Sequence, residues 1–237
     1  GRRYVTGLAP GVASGRHREF RHMQENSSFL NELEVTVYHE AGHTVVAQVV
    51  GKRIGTISIV LSNTGQAKVL GGQAQHDPGT SIDAKWTSIN MDRYIPYNQL
   101  PPPNADDEYK YYRDNCTITC AGWVTEELLS EQLGKDRSTV QSDENLGDKR
   151  KARELLQGFP VHEQEKEMLN AETRARKILR NPICWRMVEN LAKEIINAIL
   201  QGTKQKQRDG FRDWYVFVPM ELYASFAQTL NPSRNEI

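Results

Sequence analysis

Little in this chain announces a class. Three cysteines in 237 residues, Cys116, Cys120 and Cys184, are too few and odd in number for a disulfide framework. That excludes small stapled secreted scaffolds and points to a reducing compartment, with the cytoplasm as the expected location. Long apolar runs are lacking too: Thr44 to Val50 and Ile54 to Leu61 fall far short of the roughly 18 residues a spanning helix needs, so no membrane span is expected. Neither sign of charge is in excess. Lysine plus arginine number 30, as do aspartate plus glutamate, so no overall field draws the chain to nucleic acid or to a charged membrane, and binding has to be argued from a site. The opening GRRYVTGLAPGVASGRHREFRHM is basic and Gly-punctuated without the apolar stretch of a secretory signal. A start at Gly1 instead of Met is what a fragment or processed product would show.

What is present supports one domain with appendages, since 38% hydrophobic content over this length can bury a core. Residues 1–33 are polar and basic and read as a flexible N-terminal arm, with His17 and His22 solvated. The packed domain is expected over 34–200. From Glu34 apolar and small residues recur at three and four (Val37, Ala41, Thr44, Val45, then Gln48 to Val50), with Gly51 as a stop, which predicts a helix. The β-branched IGTISIVL, Ile54 to Leu61, with Gln66 to Leu70 ending at Gly71-Gly72, predicts a small hairpin or sheet. Residues 77–107 mix turn formers with Pro96 and the Pro101 to Pro103 run and read as a surface insertion. Helical patterning resumes near Asp107 and runs to Gly134, followed by helices over Asp148 to Gln157, Gln164 to Arg180 and Pro182 to about Leu200. Residues 201–237 form a C-terminal extension in which FRDWYVFVPM reads as a short strand. The predicted class is mainly α with a small β element.

One stretch carries chemistry: VYHEAGHTVV, Val37 to Val46. On a helix, His39 and His43 at i and i+4 project from one face, close enough for both imidazoles to reach one zinc ion. Glu40 sits about 100° around the helix, beside the metal, where it can take a proton from a water on that ion. Chance alone produces H-E-x-x-H in roughly one chain per hundred of this composition, so context has to decide. Here the match lies inside a predicted helix with a β segment after it, and small Ala41 and Gly42 fill the middle positions. Gly42 costs helix propensity, which predicts close packing there. Two histidines are not a complete site, because catalytic zinc takes three protein ligands and keeps a position for water. His76 and His162 are weaker candidates, each a lone histidine in a polar segment. Cys116 and Cys120, four apart, read as small buried hydrophobes.

HEAGHTVVAQVVG, His39 to Gly51, resembles the peptidase domain of FtsH-type ATP-dependent zinc metalloproteases. CAGWVTEELL, Cys120 to Leu129, is similar to that family's small-Gly-Arg-Ala-Ala-Glu-Glu helix with Trp123 at the arginine position, and AETRARKILRNPICWRMVENLAKEII, Ala171 to Ile196, to its late helix pair. The resemblance spans about Glu34 to Leu200 in three blocks in the same order. It covers neither the ATPase phosphate-binding loop nor the membrane anchors.

The resemblance implies a zinc peptidase with Glu40 as general base, and a third ligand that is an aspartate opening the helix after the Glu-Glu helix. Asp143 and Asp148 compete for that place. Asp143 follows a Ser-Thr stretch as the family's aspartate does. Asp148 fits the downstream phase, since Ala152, Leu155, Leu156 and Phe159 share its face, whereas Arg150 and Lys151 would fall on the face of Asp143. The resemblance also implies an edge strand around Ile57 to Leu70 that receives an extended, unfolded or flexible polypeptide, and, with no motor in this chain, ATP-independent cleavage unless a separate ATPase or partner protein takes part. Rival readings are a non-catalytic interaction module that keeps the metal as a structural element and a zinc hydrolase acting on something other than peptides.

Overall fold

The computed structural model describes residues 27–52, 54–62, 68–76, 105–134, 144–201, 205–207 and 213–218. In chain order they form α1 (Ser27–Val49), β1 (Ile54–Ser62), β2 (Lys68–His76), α2 (Ala105–Leu133), α3 (Glu144–Leu156), α4 (Val161–Leu179), α5 (Pro182–Leu200), β3 (Gln205–Gln207) and β4 (Asp213–Val218). The fold is mainly helical with a small antiparallel sheet. Among the described residues no helix is long and apolar enough to cross a membrane.

The helix ends follow their local chemistry. The chain leaves α1 through Gly51, whose φ of 89° only glycine adopts without strain, while the Lys52 N–H reaches back to the Ala47 carbonyl at 2.8 Å. Asn181 caps α5 by accepting from the Ile183 N–H at 2.9 Å, and Pro182 fills the first helical position, where no N–H is missed. Along α5 the buried residues Cys184, Met187, Val188, Leu191, Ala192, Ile195 and Ile199 form one apolar stripe.

The sheet runs β2-β1-β4-β3 with every pairing antiparallel. Strand β1 is interior. Ile57 pairs with Ala74 on one side and Val218 on the other, and Ile59 with Gly72 and Val216, while alternate Ile57, Ile59 and Leu61 are buried in the core. Among the described strands the edge beside the helices is therefore β2, and the expected edge strand over Ile57 to Leu70 is corrected to Lys68–His76. The predicted break at Gly71-Gly72 is corrected as well: β2 runs through both glycines.

Further boundaries differ. Helix α1 begins at Ser27, and Phe29 and Leu33, assigned to the arm, are core residues, so the arm ends earlier than residue 33. Helix α3 begins at Glu144, four residues before Asp148. The C-terminal segment contributes two strands to the sheet. Of the predicted insertion 77–107, residues 77–104 lie outside the described residues and the rest opens α2.

Candidate metal centre

Where helix α1 crosses α2, each presents a glycine to side chains of the other. A Cβ built at Gly42 would lie 1.9 Å from Thr125 Oγ1, and one built at Gly122 would lie 2.4 Å from His39 Nε2 and 2.6 Å from His43 Nε2. The first glycine lets the helices approach, and the second leaves room for the imidazoles against the α2 backbone. From the other side α3 brings Asp148, one helical turn before Ala152 and two before Leu156, both buried.

Three donor atoms converge. His39 Nε2 and His43 Nε2 are 3.0 Å apart, and Asp148 Oδ2 lies 3.0 Å from the first and 2.8 Å from the second. The remaining ring nitrogens are spoken for: His39 Nδ1 donates to Glu126 Oε1 at 2.7 Å and His43 Nδ1 to the Ile118 carbonyl at 2.6 Å. Both partners are acceptors only, which fixes each ring with its N–H outward and its Nε2 lone pair inward. Two lone pairs and a carboxylate oxygen facing one point repel unless a cation stands between them. The three residues, all buried, could hold a metal ion. Zinc with bonds of about 2.0–2.1 Å in tetrahedral array sets its donors about 3.3 Å apart, so this cluster accommodates an ion by slight widening.

The protein's own charges show how strongly the cluster wants positive charge. Burial works against a charged His39, but hydrogen bonds to Asp148 and Glu126 outweigh it and raise the imidazole to about 10. Burial pushes the Asp148 carboxyl up, yet His43 and His39 more than offset this and hold it well below the usual carboxylate range. Without a metal, a proton on His39 takes the cation's place.

Glu40 differs from these groups. It is 3% exposed, takes a hydrogen bond from the Ala74 amide of β2, and is the one buried side chain among the described residues with an unpartnered polar atom, Oε2. Burial outweighs the neighbouring histidines and raises its carboxyl above the ordinary value. A Cβ at Gly72 would stand 2.6 Å from Glu40 Cγ. Glycine occupies the middle of this strand because the glutamate lies against its backbone. Glu40, the histidines and Asp148 open into a cavity of about 610 Å³, walled by β2 residues Gly72, Gln73 and Ala74, by Ile118 and Thr119 of α2, and by Gly147 and Lys151 of α3.

Of the residues singled out in the sequence, His39, His43, Glu40 and Asp148 meet here. Asp143 lies outside the described residues. His76 ends β2, opposite Ile54, and its side chain is likewise outside them. His162 is 82% exposed at the start of α4 and takes no part. Cys116 and Cys120 are buried core residues, and so is Trp123. Sequence reasoning missed Glu126, Gly122 and Gly72. The first two were findable: Gly122 and Glu126 stand four apart on one face of α2, an arrangement that brings a gap and a carboxylate to the same neighbour. No protein-family model matches the chain, nor does any curated protein or solved structure.

Proposed function

We propose that the chain is a zinc-dependent endopeptidase of the FtsH peptidase type, acting on unfolded or flexible polypeptide. The observation that carries the reading is the unpartnered buried Glu40 carboxylate oxygen beside a three-donor cluster on the floor of an open cavity. A structural metal needs no such base, and an idle buried carboxylate oxygen is costly to keep. The set of two imidazoles and one carboxylate suits zinc and leaves a position open. Zinc there would supply a Lewis acid that polarises a carbonyl and lowers the pKa of water to about 7.

The chain's own residues do the rest. Glu126 and the Ile118 carbonyl orient the ligand rings. Glu40, held by the Ala74 amide and pressed against Gly72, accepts the proton of the attacking water and hands it to the departing amine. Its raised affinity for a proton suits both halves of that task. The β2 edge gives an extended chain a backbone ladder alongside the reacting centre. Only a segment already extended can pair there, so a folded protein needs a separate motor to be presented.

The test is Glu40→Gln, which keeps the side chain's size and removes the base. Expected are undiminished zinc, one per chain, and loss of hydrolysis of unfolded casein by about two orders of magnitude or more. Digestion at the parent's rate would end the reading.

A further inference from the structure

Among the described residues, the cavity's lining holds one permanently basic side chain, Lys151. It follows Asp148 by three residues on α3, so Asp148 points to the floor and Lys151 stands at the rim, its side chain 62% exposed. Its ammonium reaches Asp148 Oδ1 at 3.4 Å, the carboxylate oxygen turned away from the histidines. An ammonium has three N–H donors, and one long contact leaves it able to take another acceptor. Opposite, Gly72, Gln73 and Ala74 are small or neutral and polar, and on α2 Thr119 stands beside Ile118. A substrate side chain entering this space meets an ammonium and hydrogen-bonding groups, with Ile118 the only large apolar side chain among the described residues of the wall.

We propose that Lys151 is a specificity-determining residue that selects a carboxylate on the polypeptide beside the bond to be cut, whether an Asp or Glu side chain or a terminal carboxylate. The inference rests on the peptidase reading for its substrate class. Because the ammonium is largely exposed, its preference is modest: about three- to fivefold, as for a solvent-exposed ion pair, and declining as salt is raised. If Lys151 served only to steady Asp148, its removal would change zinc retention and leave peptide choice untouched.

The experiment uses zinc-loaded protein and flexible peptides that differ only in Glu or Gln at each position flanking the scissile bond, with a second pair differing in a free or amidated C-terminus. The parent is expected to favour the carboxylate peptides about three- to fivefold in kcat/KM. Lys151→Arg should keep the preference, Lys151→Gln abolish it, and Lys151→Glu turn it toward Lys-containing peptides, all with one zinc per chain. Comparison of the two peptide pairs identifies which carboxylate is read. Anisotropy of the same labelled peptides on Glu40→Gln protein, with and without Lys151→Gln, measures selection without cleavage. Cleavage without preference, or a preference that persists in Lys151→Gln, overturns the proposal and leaves the peptidase reading standing. Acid-selective binding that depends on Lys151 in a protein that cuts nothing supports it and overturns the peptidase reading instead.

Discussion

Helices α1 and α5 pack against each other and are made on different plans. Every buried residue of α5 is apolar, while Arg186, Asn190, Lys193 and Glu194 face water. In α1 every residue from His39 to Ala47 is buried, and Thr36, His39, Glu40, His43 and Thr44 bring polar atoms inside. A helix with water on one side shows an apolar stripe. From His39 to Ala47, where α1 is enclosed by its neighbours, there is none, and the polar groups must find partners within the protein. They do, in Glu126, the Ile118 carbonyl, Asp148 and the Ala74 amide, with Glu40 Oε2 the exception. The difference separates what a helix does for the fold from what it does for chemistry, and substitutions should separate the two in the same way.

The largest expected effect is in the enclosed region. Asp148→Ala removes one of three donors and should abolish stoichiometric zinc while the far-ultraviolet circular dichroism stays helical. In the parent, zinc at about a hundred times its Kd should add about 2.7 kcal/mol of stability, and in the variant nothing. A variant that still holds one zinc per chain would move the third ligand elsewhere and reopen the place for Asp143.

In the scaffold the pattern should invert. Leu191 is 2% exposed within the core, so Leu191→Ala should cost about 2–5 kcal/mol in denaturant unfolding while zinc stoichiometry and turnover per folded molecule remain those of the parent. Loss of zinc in step with stability would mean that α5 shapes the site as well as supporting it.

Glu126 lies between the two regions, on α2 but hydrogen-bonded to His39. Glu126→Gln keeps the shape and can still accept from His39 Nδ1, but gives up the carboxylate charge. Zinc affinity should fall about 10- to 100-fold, as for other partners of metal-bound histidines. Competition with a chelator reads this directly, and unchanged affinity would reduce Glu126 to a packing residue.

These contrasts also explain what could be read from the chain. The i, i+4 histidines needed only helix geometry, and the phase of Ala152, Leu155, Leu156 and Phe159 favoured Asp148, because α3 borders water and carries a stripe: Arg150 and Lys151 are exposed, Ala152 and Leu156 buried, as is Phe159 just past the helix end. Gly71-Gly72 misled, since a glycine that makes room for Glu40 reads in sequence like a glycine that makes a turn. The pairing of β1 with β4 joins residues more than 150 apart, from Ile57 with Val218 to Ser62 with Asp213, and no local pattern encodes such a partner. The start of α1 was missed because Phe29, Leu30 and Leu33 follow a polar stretch and were grouped with it, although Phe29, Leu33 and Val37 recur every four residues and are buried.

The smallest expected effect tests the comparison at its outer limit. Arg180 donates to Glu131 at 3.2 Å, joining the end of α4 to the end of α2, and the two side chains are 58% and 57% exposed. Two long side chains held together in water gain little Coulomb energy, lose rotamer freedom and are screened by salt. Arg180→Ala should therefore change stability by no more than about 0.5 kcal/mol and leave zinc content and turnover unaltered. Arg176, one turn earlier, bonds Glu127 where both side chains are less exposed, at 31% and 14%. Its replacement should cost more than that of Arg180, since removing one partner leaves a mostly buried carboxylate with a hydrogen bond unmade. Equal losses for the two arginines in urea unfolding would show that burial does not rank these contacts, and the line drawn between enclosed and water-facing positions would lose its energetic basis.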